Sequence, residues 1–472
     1  MAKININQNK LPLNLFGKEF WKAMLALAIP IALQNMLSAS FSLIDTLMVG
    51  QLGDIALSAT GMAGQWSWLF GMALFGIASG ASVFVSQYFG DGNAKGIRRT
   101  VGIALSAGVF LSLLFLGAAA LFPEAIVSIF NQNEAIVREG SAYLRLACIS
   151  YPAMALTNIL GAALRSLEKP KLPMAVAGIC AVANVVLNYV LIFPAGLGVK
   201  GAAIATAISS WLGPILLILF LSTRKNILRA PLREYSFGKV HVFDFFKKAT
   251  PVIINETMWG LGTVAYNVIF ANMGHEEYAA ITIVKTFENI AFCFFMGLCN
   301  ACCVMVGKSV GAGELRHAIR DSKRFWILMP ATSVVVGAVI ILLRAPLVSI
   351  FNLGSNISAY TVTTAEQVLI VYAAWTVIRN FAYLAVVGIL RPGGDTTVGM
   401  LFEIVVLWLL SVPVTYLAAN VWGLPFLAVY AIMYLVEDVP KVIIFWFYYR
   451  SGRWIRPVTN AGKQALSELE GS

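Results

Sequence analysis

PIALQNMLSASFSLIDTLMVGQLG (30–53) and PVIINETMWGLGTVAYNVIFANMG (251–274) are two versions of one theme. Each opens on a proline, closes on a glycine and is apolar for most of its length. The offset of 221 residues holds well beyond them: Gly76 falls on Gly297, Gly90 on Gly311, and VSIFN at 127–131 recurs at 348–352. After five inserted residues the register resumes, with LR at 164–165 meeting LR at 390–391 and Met174 meeting Met400. One offset kept from 28–131 to 249–352 marks an internal duplication. The duplicated material is almost entirely long enough and apolar enough to cross a membrane, and tandem halves of that kind often build transporters.

Composition agrees. Apolar residues make up 59% of the chain and charged residues only 12%, against about 25% charged in an ordinary soluble domain. Mean hydropathy is +0.79. Twelve apolar runs, from the one near 24–47 to the one near 424–449, are each long enough to cross a bilayer core of roughly 30 Å. The expected fold is an all-α polytopic membrane protein with twelve transmembrane helices in two six-helix repeats. No short apolar core with a cleavage site precedes the first run, which reads as the first membrane helix.

The net charge of +11 is topological and does not signal nucleic acid. Alternate connections place 27 of the 34 Lys and Arg residues on one side, including Lys3, Lys10, Arg224, Lys225 and Arg391. Only Arg138, Arg145, Lys200 and Arg344 fall on the other side, while Lys285, Arg379 and Lys441 fall within spans. The positive-inside rule makes the basic side and both termini cytoplasmic. With six helices per half, the two repeats run parallel. The expected divisions are an N-terminal segment (1–20), a six-helix lobe (21–222), a basic linker (223–247), a second lobe (248–450) and a polar, loosely ordered tail (451–472).

Cysteine chemistry is set aside: CNACC (299–303) has no second pair and no histidine to complete a zinc site. Polar residues at membrane depth are more informative, because a charge there is costly and marks function by default. Asp45 lies 23 residues beyond Lys22, about 35 Å along a helix. Asn184 and Asn188 share a helical face at i,i+4 spacing; the bland alternative for them is hydrogen bonding between helices. Thr206 is a weaker candidate. Pro30 removes a backbone hydrogen bond and is the expected hinge of the first helix. In the second half, Glu256 stands without a partner on its own helix and is a candidate for proton or substrate coupling. Lys285 and Glu288, and Glu437 and Lys441, have ion-pair spacings.

These motifs taken in order (LAIPIALQNMLSASFSLIDTLMVGQLG, the GDGN and GAGE turns, NVVLNYVLIF and LRPGGDTT) resemble the multidrug and toxic compound extrusion (MATE) family over roughly residues 20–450. The resemblance implies two lobes in a V around a central cavity. It also implies export of amphipathic, often cationic compounds in exchange for Na⁺ or H⁺. It carries the cation-binding role to Asp45, Asn184, Asn188 and Thr206. Some prokaryotic members have an aspartate where this chain has Asn188, so the site here holds one carboxylate. Trp66, Trp68, Tyr151, Met258 and Trp259 are candidates for the cavity wall. The expectation is a monomeric, prokaryotic cell-membrane exporter that needs no cofactor beyond its coupling ion and meets small amphipathic substrates and lipid.

Three other readings compete. A lipid-linked-precursor flippase would be expected to have a more cationic cavity and extra helices. A membrane-embedded enzyme needs clustered carboxylates or a nucleophile–base pair, and a channel does not need lobed repeats. No GxxxxGK[ST] loop supports a nucleotide-driven pump. Across the repeat Asp45 corresponds to Tyr266 and Glu256 to Asn35, so cation coupling is expected to centre on the first half.

Overall fold

The computed structural model describes residues 16–223, 226–352 and 358–471. The charges expected on Lys3, Lys10, Arg224 and Lys225 lie outside the described residues. The first half forms α1 (Lys18–Gly50), α2 (Asp54–Gly90), α3 (Ala94–Leu121), the short α4 (Pro123–Ser128), α5 (Glu134–Ala147), α6 (Tyr151–Ser166), α7 (Lys171–Ile192) and α8 (Gly198–Thr223). The second half forms α9 (Lys239–Ala271), α10 (His275–Gly311), α11 (Leu315–Asn352), α12 (Ala359–Tyr383), α13 (Arg391–Gly393), α14 (Thr396–Val405), α15 (Val412–Asn420) and α16 (Phe426–Arg450), with α17 (Asn460–Gly471) beyond it.

The duplication shows directly in these bounds. α1 and α9 are each 33 residues long, α2 and α10 each 37, and all four start and stop at the 221-residue offset. The punctuation is shared too. Gly92 (φ 69°) and Gly313 (φ 78°) occupy the same turn with positive φ, a conformation that only glycine adopts freely. The copies part at the next helix. Pro123 starts a new helix after α3, whereas α11 runs on to Asn352 with Pro330 and Pro346 inside it.

Every expected span falls on a helix or on helices joined end to end. Among the described residues ten helical stretches are apolar and long enough to cross a membrane. α9 and α16 fall outside that set: α16 carries Glu437, Asp438 and Lys441, and the apolar half of α9 is diluted by Asn255, Glu256 and Asn267. α5 passes into α6 through a 3₁₀ turn at Cys148–Ser150. In the second half, π-helical stretches at Leu384–Leu390 and Val406–Ser411 join α12 to α13 and α14 to α15. The positions matching the first of these in the other repeat lie in regular α-helix. π-bulges often mark functional sites.

The chain forms two compact units. One, the N unit, is Pro30–Ile253; the other, the C unit, is Ile254–Ser472 with the segment that ends at Ile29. The units therefore do not part in the linker. α1 passes from one to the other at Pro30, and α9 passes at Ile253, two residues after its own proline. The first half of α1 packs within the C unit, where Phe20 is 5.4 Å from Phe325 and the Arg324 guanidinium lies over the Phe20 ring. The first half of α9 packs within the N unit against small residues of α2: a Cβ on Gly80 would meet Ala249, and one on Gly76 would meet Ile253. These glycines allow the two helices to approach closely.

The linker is fastened to the N unit. Arg98 pairs with Glu234 and donates to the Ile227 carbonyl at 2.7 Å, and Leu228 is buried beside Ile97 and Val101. The tail, expected to be loosely ordered, is packed. Trp454 is fully buried and stacked on Tyr449 at 5.7 Å, and Thr459 donates to the Gly311 carbonyl at 2.7 Å. α17 then lays Ala465, Leu466 and Leu469 against the core. Overall polarity concealed the few apolar anchors that order this segment.

Candidate functional site

Within the N unit the second half of α1 is anchored on both sides of its carboxylate. Arg165 of α6 donates to Gln34 Oε1 at 3.4 Å. Val49 is buried with Ile192 and Val199, with Tyr143 packed against them. Between these points Asp45 Oδ1 accepts a hydrogen bond from Asn188 Nδ2 of α7. One turn back on the same face, Asn184 Oδ1 accepts from the same Nδ2 at 3.2 Å. Asn184 Nδ2 in turn donates to Ser209 Oγ of α8 at 3.1 Å, and Ser209 donates to the Thr206 carbonyl at 3.2 Å. Tyr143 of α5 lies beside Thr206 and within electrostatic reach of Asp45.

Thus Asp45, Asn184 and Asn188, singled out from sequence, meet in one network that draws on α1, α7 and α8, and Thr206 joins it through its backbone carbonyl. Ser209 completes it and was missed, as was Tyr143 beside it. A lone tyrosine or serine in an apolar run sends no signal, although Ser209 lies three residues from Thr206 on the same helical side. Asn188 is 0% exposed, and its Oδ1 has no hydrogen-bond partner. A buried acceptor left unmatched costs about 1–3 kcal/mol, so this oxygen calls for a guest. Among the described residues no three His, Cys, Asp or Glu side chains cluster to hold a metal. A cation beside Asp45 would therefore be held by one carboxylate and neutral amide and hydroxyl oxygens, a set suited to a monovalent hard ion or a proton.

The C unit differs from expectation in three places. Glu256 is not a lone carboxyl: Arg391 Nη2 donates to its Oε1 at 2.6 Å, with the guanidinium side chain 4% exposed. Arg391 is accordingly not a free connection charge but a buried partner at the end of the first π-helical stretch. Lys285 and Glu288 do not pair. Lys285 turns to Asn267, and Glu288 accepts from the Tyr430 and Tyr434 hydroxyls at 2.6 and 3.1 Å. Residues on other helices outcompeted the i,i+3 neighbour. Glu437 and Lys441 do pair, at 2.7 Å. Tyr266, the repeat counterpart of Asp45, donates to Glu437 at 2.8 Å and is hydrogen-bonded at 2.7 Å to the hydroxyl of Ser411, the last residue of the second π-helical stretch.

The candidate wall residues scatter. Tyr151 is 1% exposed, stacked on Phe70 at 4.8 Å and bonded to Ser67, so it is core and not cavity wall. Trp66 packs on Phe115 at 4.7 Å, and Trp68 is exposed. The Met258 carbonyl accepts from Trp408 at 3.2 Å. Trp259 lines a cavity within the C unit. Asp395 caps α14 and accepts from Tyr448, with Arg456 at 3.1 Å, a structural role.

The arrangement is that of an all-α polytopic membrane protein built from two repeats. The MatE family model matches residues 30–190 and 251–417, and the chain belongs to that family of multidrug and toxic compound extrusion transporters; it is not an enzyme. A probable multidrug resistance protein NorM from Thermotoga maritima is 25% identical over 92% of this chain and 93% of its own length. Multidrug and toxin extrusion protein 1 of Xenopus tropicalis is 26% identical over 84% of this chain and 68% of its own. Among solved structures, a MATE protein in a bent conformation superposes with a TM-score of 0.85 at 17% identity, covering 98% of this chain and all of that one. A MOP-superfamily transporter from Pyrococcus furiosus gives a TM-score of 0.85 at 17% identity, over 95% of this chain and 99% of that one.

Proposed function

We propose that the protein exports amphipathic, often cationic compounds by alternating access, driven by entry of Na⁺ or H⁺ at Asp45. The extrusion activities named for the relatives support the direction and the class of cargo. The observation that carries the coupling site is the buried, unpartnered Oδ1 of Asn188 beside the Asp45 carboxylate. A proton on Asp45, or Na⁺ held by Asp45 with Asn184, Asn188 and Thr206, neutralises the one charge in a network otherwise made of amides and hydroxyls. That change favours one conformation over the other only through unequal affinity for the two. Pro30, where α1 passes from the C unit to the N unit, is the point at which α1 would bend. On this reading the excess of Lys and Arg on one set of connections puts both termini in the cytoplasm, and the exporter works as a monomer.

The test is efflux of ethidium from proteoliposomes holding the purified protein, under Na⁺ and pH gradients imposed separately. Export under one gradient, lost in Asp45→Asn, is the expected result. Undiminished coupled export by Asp45→Asn would sink the assignment.

A further inference from the structure

Ser209 is the outermost member of the Asp45 network, and what it does there follows from a count of hydrogens. Its side chain is 4% exposed on α8. A serine hydroxyl has one proton to donate and lone pairs with which to accept. That proton goes to the Thr206 carbonyl, 3.2 Å away and three residues back on the same helix. Toward Asn184 the oxygen is then an acceptor only, and it takes a hydrogen bond from Asn184 Nδ2 at 3.1 Å.

A carboxamide has a donor end and an acceptor end of nearly the same shape, so hydrogen bonding decides which end faces a site. With Nδ2 held at Ser209, Asn184 turns Oδ1 the other way, to accept from Asn188 Nδ2 at 3.2 Å. The same Asn188 Nδ2 donates to Asp45. Turned over, Asn184 would set its own NH₂ against that of Asn188, donor against donor. It would also present protons where a metal cation needs oxygen. The direction of the Asn184 carbonyl is thus fixed from α8. Among the described residues Ser209 itself has no hydrogen bond to Asp45 or Asn188.

We propose that Ser209 is a positioning residue for Na⁺ at Asp45: by accepting from Asn184 Nδ2 it keeps Asn184 Oδ1 turned toward the site as a ligand. The inference rests on the reading of Asp45 as the cation site and deepens it, adding a residue that sets the affinity for the ion through another side chain.

The test reads Na⁺ binding on the purified full-length protein, from the rise in melting temperature as NaCl replaces choline chloride at constant ionic strength. The parent should show a saturable rise that Asp45→Asn lacks. In Ser209→Ala the Na⁺ concentration at half-effect is expected to be about threefold to tenfold higher, the worth of one neutral hydrogen bond. Ser209→Cys, which fills the same space with a poorer acceptor, should shift it in the same direction and serves where Ser209→Ala does not fold. In an Asn184→Asp background both ends of the side chain are acceptors and neither needs directing, so Ser209→Ala should not weaken Na⁺ binding there. A general loosening of α8 would weaken it in both backgrounds. No Na⁺ effect on the parent, a smaller shift in Ser209→Ala, or the same loss in both backgrounds overturns the proposal. Ethidium efflux separates the two readings. Efflux driven by a pH gradient, with no Na⁺ effect on melting, leaves export standing and removes this inference. Na⁺ binding that Ser209→Ala weakens, with no efflux under any gradient, keeps the inference and removes export.

Discussion

Asp45 and Tyr266 occupy the same position in the two repeats, on helices of identical length and matched bounds, yet opposite kinds of network grew around them. Asp45 is a single carboxylate among neutral amides and hydroxyls. Tyr266 is a neutral hydroxyl among charges: Glu437 pairs with Lys441 within α16, and Glu437, Glu288, Arg379 and Lys285 tie α9, α10, α12 and α16 together, mostly through tyrosines. A network with one charge changes its electrostatic state completely when it takes up one cation. A network of several charges of both signs resists that change. One scaffold, copied, thus carries one network with a single charge and one with several.

The largest test of that division is at Asp45 itself. Asp45→Asn is expected to lower ion-driven ethidium efflux by roughly a hundredfold or more, the scale of removing an essential proton-transfer group, while the melting temperature of the purified protein stays near that of the parent. Glu437→Gln, in contrast, should act on stability first. A second break point is the Glu256–Arg391 pair. Removing either partner alone leaves a buried charge and should cost about 3–5 kcal/mol, read as a lower denaturation midpoint in detergent. Replacing both with Gln and Met should recover much of that loss. If Glu256→Gln instead keeps its stability and loses coupled efflux, the carboxylate is a coupling group and the C unit shares the ion work.

Smaller effects refine the comparison. Pro30→Ala restores the missing backbone donor in α1 and should slow efflux by about tenfold through a stiffer helix, with binding of the fluorescent substrate unchanged in equilibrium titration. An unaltered rate would mean that α1 does not bend there during the cycle. Tyr143→Phe removes one hydroxyl from beside the Asp45 network. It should raise the cation concentration needed for half-maximal efflux about threefold to tenfold, the worth of one neutral hydrogen bond. A larger loss than that from Asn188→Ala would make Tyr143, and not Asn188, the principal partner.

How much of this could be read from the chain follows from the range of each signal. The duplication located the helices well because one offset aligns many glycines and prolines at once. The meeting of Asp45 with Asn184 and Asn188 was foreshadowed by amides on one helical face, a local pattern. Lys285 was misread because spacing along α10 says nothing of Asn267 on α9 or of Tyr430 and Tyr434 on α16. Arg391 was misread because it follows a π-helical stretch that composition does not announce. Glu437 and Lys441 paired as their spacing on α16 foretold, but the partners of Lys285, Glu288 and Arg391 were settled between helices, beyond the reach of periodicity.

The passage of α1 and α9 between units has a historical consequence. A single repeat, before it was doubled, would have had an N-terminal half-helix with no place in its own fold and an empty seat for another. The natural occupant of that seat is the corresponding segment of an identical chain. Made between two separate copies of one repeat, such an exchange of helix segments would be a domain swap; here the linker at 223–247 lets it be made within a single chain. Once the copies shared a gene, each position was free to change without changing its twin, and an aspartate could persist at 45 while a tyrosine settled at 266.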